Sequence, residues 1–185
     1  DGQIALLTSL SMMPWTLKFL WSPFLEMFKT KKFFVVLTQM VTGAGFALVA
    51  LALQLPFFFA ICIALLAVIA FSGATHDVAT DGVYMSELNK QDQAKYIGWQ
   101  GAFYNIAKIV ASGGLVWLAG ALLVGFGGVE GATEAVRHEA TRHAWMTVRL
   151  IVATVLVMLG LYHMRMVQSG GASASGDRSA REPWG

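Results

Sequence analysis

The sequence predicts an all-α fold, a polytopic bundle of transmembrane helices, from its composition and from the length of its apolar segments. Of the 185 residues, 56% are hydrophobic and 13% are charged, whereas soluble domains are about half apolar and about a quarter charged. A helix needs about 20 mostly apolar residues to cross the hydrocarbon core of a bilayer. Apolar runs of that length without sustained alternation exclude buried strands, and helices satisfy their own backbone groups in lipid.

Five segments have the length and polarity of a spanning helix. The first is predicted to be interrupted by Pro14, the second has few polar members, and the third follows Pro56 and opens with fifteen apolar residues. The fourth and fifth are separated by a polar stretch that contains Glu, Arg and His. The predicted helices cover residues 4–28, 33–55, 57–88, 96–126 and 144–167, and the Gly/Ser-rich stretch 169–185 is predicted to be a flexible cytoplasmic linker.

The basic residues predict the orientation of these helices. The connections after the first, third and fifth segments carry eight Lys and Arg in total, and the other two connections carry two. By the positive-inside rule the basic side is cytoplasmic. The first of the five helices then begins outside and the last ends inside, and this odd number of helices predicts a further helix upstream.

An acidic pair in the third segment is the strongest candidate site. Asp77 and Asp81 are four residues apart, so both carboxylates share one helix face, while His76 and Thr80 share a neighbouring face. Two close carboxylates repel each other, which favours a shared proton, and such a pair suits a proton-coupled transporter. Ionisable groups are costly inside a membrane, but a role in holding neighbouring helices together is an equally good interpretation here.

The fourth segment carries a second set of polar side chains in mid-span. Lys108 could neutralise an anionic substrate group or pair with a carboxylate. Small residues such as Gly43, Gly45, Gly113 and Gly120 predict close helix approach. The side chains expected to join Lys108 on a cavity are Asn105, Tyr104 and Gln100.

No metal, cofactor, nucleic-acid partner or enzymatic activity is predicted. The outer stretch holds Glu134 with His138 and Glu139 with His143 at helical spacing, but a third ligand at a fixed spacing is not present. A solvated amphipathic helix explains these pairs. Cys62 is interpreted as a small buried hydrophobe.

Three stretches resemble the major facilitator superfamily, in particular its group of AmpG-like muropeptide permeases and acetyl-CoA transporters. Residues 14–26 resemble the end of that group's second helix, with Glu26 in place of the usual Asp, and residues 29–32 resemble the short cytoplasmic loop that follows. Residues 76–82 are similar to the fourth-helix motif, and 112–115 to the glycine-rich fifth helix. The resemblance covers about residues 5–167, which would be helices two to six of the N-terminal half.

The resemblance implies a multi-pass transporter of the bacterial cytoplasmic (inner) membrane that moves a small solute by alternating access. It implies that the remaining helices of a full-length transporter are the partners of this chain, with the proton as coupling ion. The solute could be a muropeptide-like sugar or peptide, or a related anion. The gating loop would be formed by Glu26, Lys29, Lys31 and Lys32.

Two alternatives to a transporter remain open at the level of the sequence. An integral-membrane transferase could use paired aspartates to hold Mg²⁺ near a lipid phosphate. Such enzymes resemble one another in having several Asp-rich motifs, however, and this sequence has one pair. A membrane scaffold without transport activity is the other alternative.

Overall fold

The computed structural model describes residues 2–27 and 30–168, and this part of the chain is 88% helical and contains no strand. The predicted all-α class is therefore confirmed. A 3₁₀ turn at Lys18–Leu20 and a π-helical turn at Val110–Gly114 interrupt the α-helices. The α-helices are α1 (Gly2–Leu17), α2 (Ser22–Met27), α3 (Lys31–Ala52), α4 (Phe58–Glu87), α5 (Lys90–Ile109), α6 (Leu115–Gly125) and α7 (Glu134–Met166).

Four of these helical segments are long and apolar enough to cross a bilayer. Among the described residues they are Lys31–Ala52, Phe58–Glu87, Lys90–Gly125 and Glu134–Met166. The third combines α5, the π turn and α6 into one helix of 36 residues. This composition indicates a membrane protein.

The first predicted segment, 4–28, is divided in the structure. Pro14 lies inside α1, and the helix gives way only at the 3₁₀ turn that precedes α2. Pro23 is the second residue of α2, where its missing N–H costs nothing at a helix start but prevents an uninterrupted α-helix through this point. The break therefore follows from Pro23, whereas the sequence analysis associated it with Pro14.

Helices α3, α4 and α7 form the packed centre of the structure, with α3 between the other two. Contacts of Thr38 with His76 and of Thr42 with Ser72 show that α3 and α4 are antiparallel. Contacts of α3 with α7 run in opposite chain directions as well, from Gln39 at His163 to Gln54 at Met146. Helix α1 runs parallel to α4, since Trp15 packs at Gly73 and Lys18 lies beside Asp77.

Small residues line the interfaces in this centre, and large apolar residues point outward. A Cβ added to Gly43 would lie 2.9 Å from Cγ2 of Val157 and 3.2 Å from the Ala153 carbonyl oxygen. The buried apolar residues of the described part are Val and Ala only, whereas Phe, Leu, Met and Trp dominate the exposed ones. Close backbone approach through small residues is how helices associate in lipid, so the expectation for Gly43 and Gly45 is confirmed.

Helices α5 and α6 depart from that expectation. A Cβ on Gly113 or Gly120 would meet nothing within 4 Å in the described part of the chain. Helix α6 packs on α7, but α5 makes few contacts beyond the turn that joins it to α4. Close helix approach was therefore the wrong explanation for Gly113 and Gly120 within residues 2–27 and 30–168.

Two helices begin before the boundary that hydropathy predicted. Helix α5 starts at Lys90, where the Asn89 side chain accepts from the Asp92 N–H, and α7 starts at Glu134, where Thr133 accepts from the Val136 N–H. These N-caps satisfy backbone donors at helix starts in water. The polar ends of both helices thus extend beyond the apolar segments. Hydropathy detects only the apolar part of a helix, so it does not give the full helix length.

Candidate functional site

An ion pair joins the first segment to α4. The Lys18 ammonium, in the 3₁₀ turn, contacts the carboxylate Oδ2 of Asp77. The two side chains are 34% and 44% exposed, so the pair is open on one side and is not sealed in the helix interface. An ion pair of this kind reduces the cost of holding each charge within a membrane-spanning bundle.

Asp81 lies one helical turn beyond Asp77 and faces a cavity of about 310 Å³ between α2, α3 and α4. Its Oδ1 is 3.4 Å from Nε2 of Gln100 on α5. Lys18 and Lys31 also line the cavity. The structure therefore brings together the predicted acidic pair, Gln100 and the gating-loop residue Lys31, and it adds Lys18.

Lys31 reaches this cavity along the surface of α4. A Cβ placed on Gly82 would lie 2.8 Å from Cδ of Lys31, so the absence of a side chain at Gly82 makes room for the lysine stem. Lys32 lies beside it in the first turn of α3, after the N-cap Thr30. Of the other predicted gating residues, Lys29 and the side chain of Glu26 lie outside the described residues, as does the predicted linker 169–185.

His76 faces away from the acidic pair and towards α3. Its Nδ1 lies 2.9 Å from the Thr38 hydroxyl, and Ser72, one turn earlier, donates to the Thr38 carbonyl at 3.0 Å. Consecutive residues on a helix point about 100° apart, which explains why His76 and Asp77 contact different helices. His76 thus belongs to the α3–α4 interface, where polar groups hold helices together.

Sequence reasoning missed a second polar contact, between α3 and α7. The side-chain Oε1 of Gln39, a residue that is 6% exposed, accepts a hydrogen bond from Nδ1 of His163 over 2.9 Å. Helix α3 therefore carries polar contacts on both flanks, with His76 of α4 and with His163 of α7. A signal was present, since Gln39 is a rare polar residue in the second apolar segment and His163 is one in the fifth.

The remaining predicted residues of the fourth segment do not join the site. Tyr104 is 69% exposed, and Asn105 donates to the Gly101 carbonyl of its own helix at 2.8 Å. The Lys108 ammonium has no ion-pair partner among residues 2–27 and 30–168. Among residues 2–27 and 30–168, none of these three side chains makes a hydrogen bond or ion pair with another helix.

The site is poorly suited to Mg²⁺. Within the described part of the chain, His, Cys, Asp and Glu form no group of three that could hold a metal ion. Mg²⁺ at the acidic pair would have to displace the Lys18 ammonium from Asp77. The pair of Glu139 with His143 is explained by local contacts, because Glu139 binds Arg142 at 2.6 Å and His143 at 3.3 Å.

Comparison with protein-family models, with curated proteins and with solved structures gives no match to this chain. The geometry of the site therefore carries the functional argument, together with the resemblance described above.

Proposed function

We propose that this chain forms part of a secondary transporter that moves a small solute across the bacterial cytoplasmic membrane by alternating access, coupled to protons. On this proposal it belongs to a major facilitator superfamily protein of the AmpG-like group and is partnered by the other helices of that protein. The observation that carries the proposal is the Lys18–Asp77 ion pair beside Asp81, at a cavity inside an otherwise apolar helical bundle.

The chemistry of the site supports proton coupling. Lys18 neutralises Asp77, while within the described part of the chain Asp81 has the weak, neutral donor Gln100 as its side-chain hydrogen-bond partner. A proton on Asp81 removes its negative charge from a cavity that two lysines also line, and loss of the proton restores that charge. A bundle that rocks between two states can use this difference, because a charge inside a membrane is costly unless it is paired or solvated.

The cavity also supports an anionic or polar solute. Two lysines, Lys18 and Lys31, line it together with Asp81. A carboxylate or phosphate of a solute could compete with Asp77 for Lys18, and the protonation of the acids would then be linked to solute binding. A muropeptide, which carries sugar hydroxyls and carboxylates, and an acyl-CoA-like anion are the two solute classes to test first.

The test is uptake by the intact protein in proteoliposomes with an imposed pH gradient. A labelled muropeptide and a labelled acyl-CoA are the two solute probes, and a pH-sensitive dye inside the vesicles reports proton entry. We expect Asp77→Asn and Asp81→Asn each to lower gradient-driven uptake at least about tenfold, the scale of one lost ionic interaction of about 1.4 kcal/mol.

Asp92→Asn is the matched control, because Asp92 is a carboxylate at the start of α5 that bonds to Asn89 at 2.8 Å, outside the cavity. It should transport as the wild type does. Exchange of labelled for unlabelled solute without a gradient separates coupling from folding, since a folded but uncoupled Asp81→Asn variant should still exchange. Wild-type uptake and pH dependence in both aspartate variants would refute the coupling role.

A further inference from the structure

A second cluster of charged side chains lies at the opposite end of the bundle from the Lys18–Asp77 pair. His138, Arg142, Trp145 and Arg149 recur along α7 at intervals of four, three and four residues, so they share one helix face. They line a cavity of about 260 Å³ whose other wall comes from the turn between α3 and α4, at Leu53 and Phe58. The cavity is thus basic on one side and apolar on the other.

The two arginines are incompletely neutralised. Arg149 is half-buried, donates to the Trp145 carbonyl at 3.1 Å and lies 5.4 Å from the centre of the Trp145 ring. No carboxylate of residues 2–27 and 30–168 pairs with it. Its charge therefore has no carboxylate counter-ion in this part of the chain.

Arg142 has a partner for only part of its guanidinium. One terminal nitrogen bonds to Glu139 at 2.6 Å, but its Nε–H is buried and has no hydrogen-bond partner within the described residues. A buried donor without an acceptor costs free energy. Glu139 also contacts His143, so one carboxylate is shared between two basic side chains and the cavity keeps a net positive charge.

The position of the cluster limits the ligand. Arg149 lies about one helical turn after Trp145, inside a helix long enough to cross a membrane, and Trp residues favour the level of the lipid headgroups. An arginine fork binds the oxygens of a phosphate through parallel N–H donors. The apolar wall at Phe58, 45% exposed, suits the hydrocarbon next to a headgroup.

We propose that Arg142, Arg149 and Trp145 form a binding site for a phosphate group at the membrane surface, at the end of the bundle opposite the Lys18–Asp77 pair. The shared chemistry is a phosphate oxyanion held between two guanidinium groups. It can come from the headgroup of an anionic phospholipid or from free phosphate, and the two sources are separable by experiment. The site is independent of the proposed transport activity.

The test is lipid retention by the intact protein in nanodiscs. The protein is reconstituted into phosphatidylcholine that contains a minor fraction of phosphatidylglycerol, extracted gently, and examined by native mass spectrometry for the lipids that remain bound. We expect phosphatidylglycerol to be enriched on the wild type. The double variant R142Q/R149Q should lose this enrichment by at least about tenfold, because each charge-assisted hydrogen bond contributes up to about a factor of ten.

Arg137→Gln is the matched control, since Arg137 is an exposed arginine of the same helix that does not line the cavity. It should keep the enrichment within about a factor of two, a margin well below the loss expected for one strong ionic contact. If the double variant fails to fold, judged by size-exclusion elution, Arg142→Gln alone serves as the test with an expected loss of about threefold.

A second arm adds millimolar inorganic phosphate. If phosphate displaces the lipid, the site exists and also binds free phosphate. If the lipid is retained, the site exists and its ligand is the lipid headgroup. The proposal is overturned if the wild type shows no preference for phosphatidylglycerol and no binding of inorganic phosphate, or if Arg137→Gln lowers retention as much as the cavity variants do.

Discussion

Helix α4 and the long helix that α5 and α6 form are neighbours, and both are apolar enough to cross a membrane, yet their polar residues are engaged very differently. In α4, 22% of the apolar window is buried, and Asp77, His76 and Ser72 all bond to other elements. In the helix that begins with α5 the buried share is 6%, and Lys108 stands without a partner in the described part of the chain. Hydropathy identifies a spanning helix, but only packing shows which polar groups are engaged.

On the proposed function, the difference has a simple meaning. The polar side of α4 holds the bundle together and frames the acidic site, whereas the polar side of α5 is available to a solute path or to further helices. The following predictions test whether packed and unpacked positions really differ as the structure indicates.

The largest difference is expected at the glycines. Gly43→Leu places a side chain against Val157 and the Ala153 carbonyl, where a Cβ alone would be 2.9 and 3.2 Å away. Since backbone cannot yield as a flexible side chain can, we expect a loss of stability of about 3 kcal/mol, the upper range for overpacking. Thermal unfolding of the purified protein in detergent, followed by size-exclusion elution, measures it.

Gly120→Leu provides the comparison, because a Cβ there meets nothing within 4 Å. This variant should elute and unfold as the wild type does. Equal destabilisation by both leucines would show that α6 is as closely packed as α3, and the contrast drawn here would be lost.

The ion pair of α4 should give the next largest effect. Lys18→Met leaves Asp77 without its counter-ion, which we expect to cost about 2 kcal/mol, between the values for exposed and buried pairs. Adding Asp77→Asn should restore more than half of the loss. A double-mutant cycle on unfolding free energy measures the coupling, and additive effects of the two changes would contradict the contact.

The contact between α3 and α7 should contribute less. His163→Leu leaves the buried Gln39 amide without its 2.9 Å partner, and we expect a cost of about 1 kcal/mol for the unsatisfied group. The double change Q39L/H163L removes both polar groups and should recover most of it. His138→Leu, at an exposed position of the same helix, is the control and should change the stability little.

The smallest effect is expected on α5. Lys108→Gln should alter stability by less than about 0.5 kcal/mol, as at other unpartnered surface positions, because the ammonium makes no ion pair in the described structure. Under the proposed function the same change should reduce uptake of an anionic solute. A large loss of stability would instead show that Lys108 is held by a partner.

The fold was largely predictable because membrane-spanning length and apolar composition are written directly in the sequence. Residues 33–55 and 57–88 correspond closely to α3 and α4, since the bilayer imposes both length and polarity on them. The starts of α5 and α7 were not predictable from hydropathy, because Asn89 and Thr133 cap these helices in polar surroundings. The position at which the first segment divides was not predictable, because both Pro14 and Pro23 could interrupt a helix there.

The site was predictable only in part, because spacing along one helix says nothing about which neighbour each face meets. The i, i+4 rule placed Asp77 and Asp81 on one face, and the structure adds Lys18 from a different segment. The same rule could not reveal that His76 turns to Thr38, or that Gln39 meets His163 across 124 positions of sequence. Such contacts depend on helix order and register in the bundle.

The π-helical turn at Val110–Gly114 determines how the side-chain faces of α5 and α6 are rotated relative to each other. One residue more per turn changes the azimuth of everything that follows by about 100° relative to an unbroken α-helix. The π turn therefore fixes the angle about the helix axis between two faces. One is the face of α6 that packs on α7 at the buried Ala119, and the other is the face of α5 that carries Lys108. Deletion of Ser112 would convert the π turn into a regular α-helical turn. It would rotate the face of α5 that carries Lys108 by about 100° about the helix axis, relative to α6.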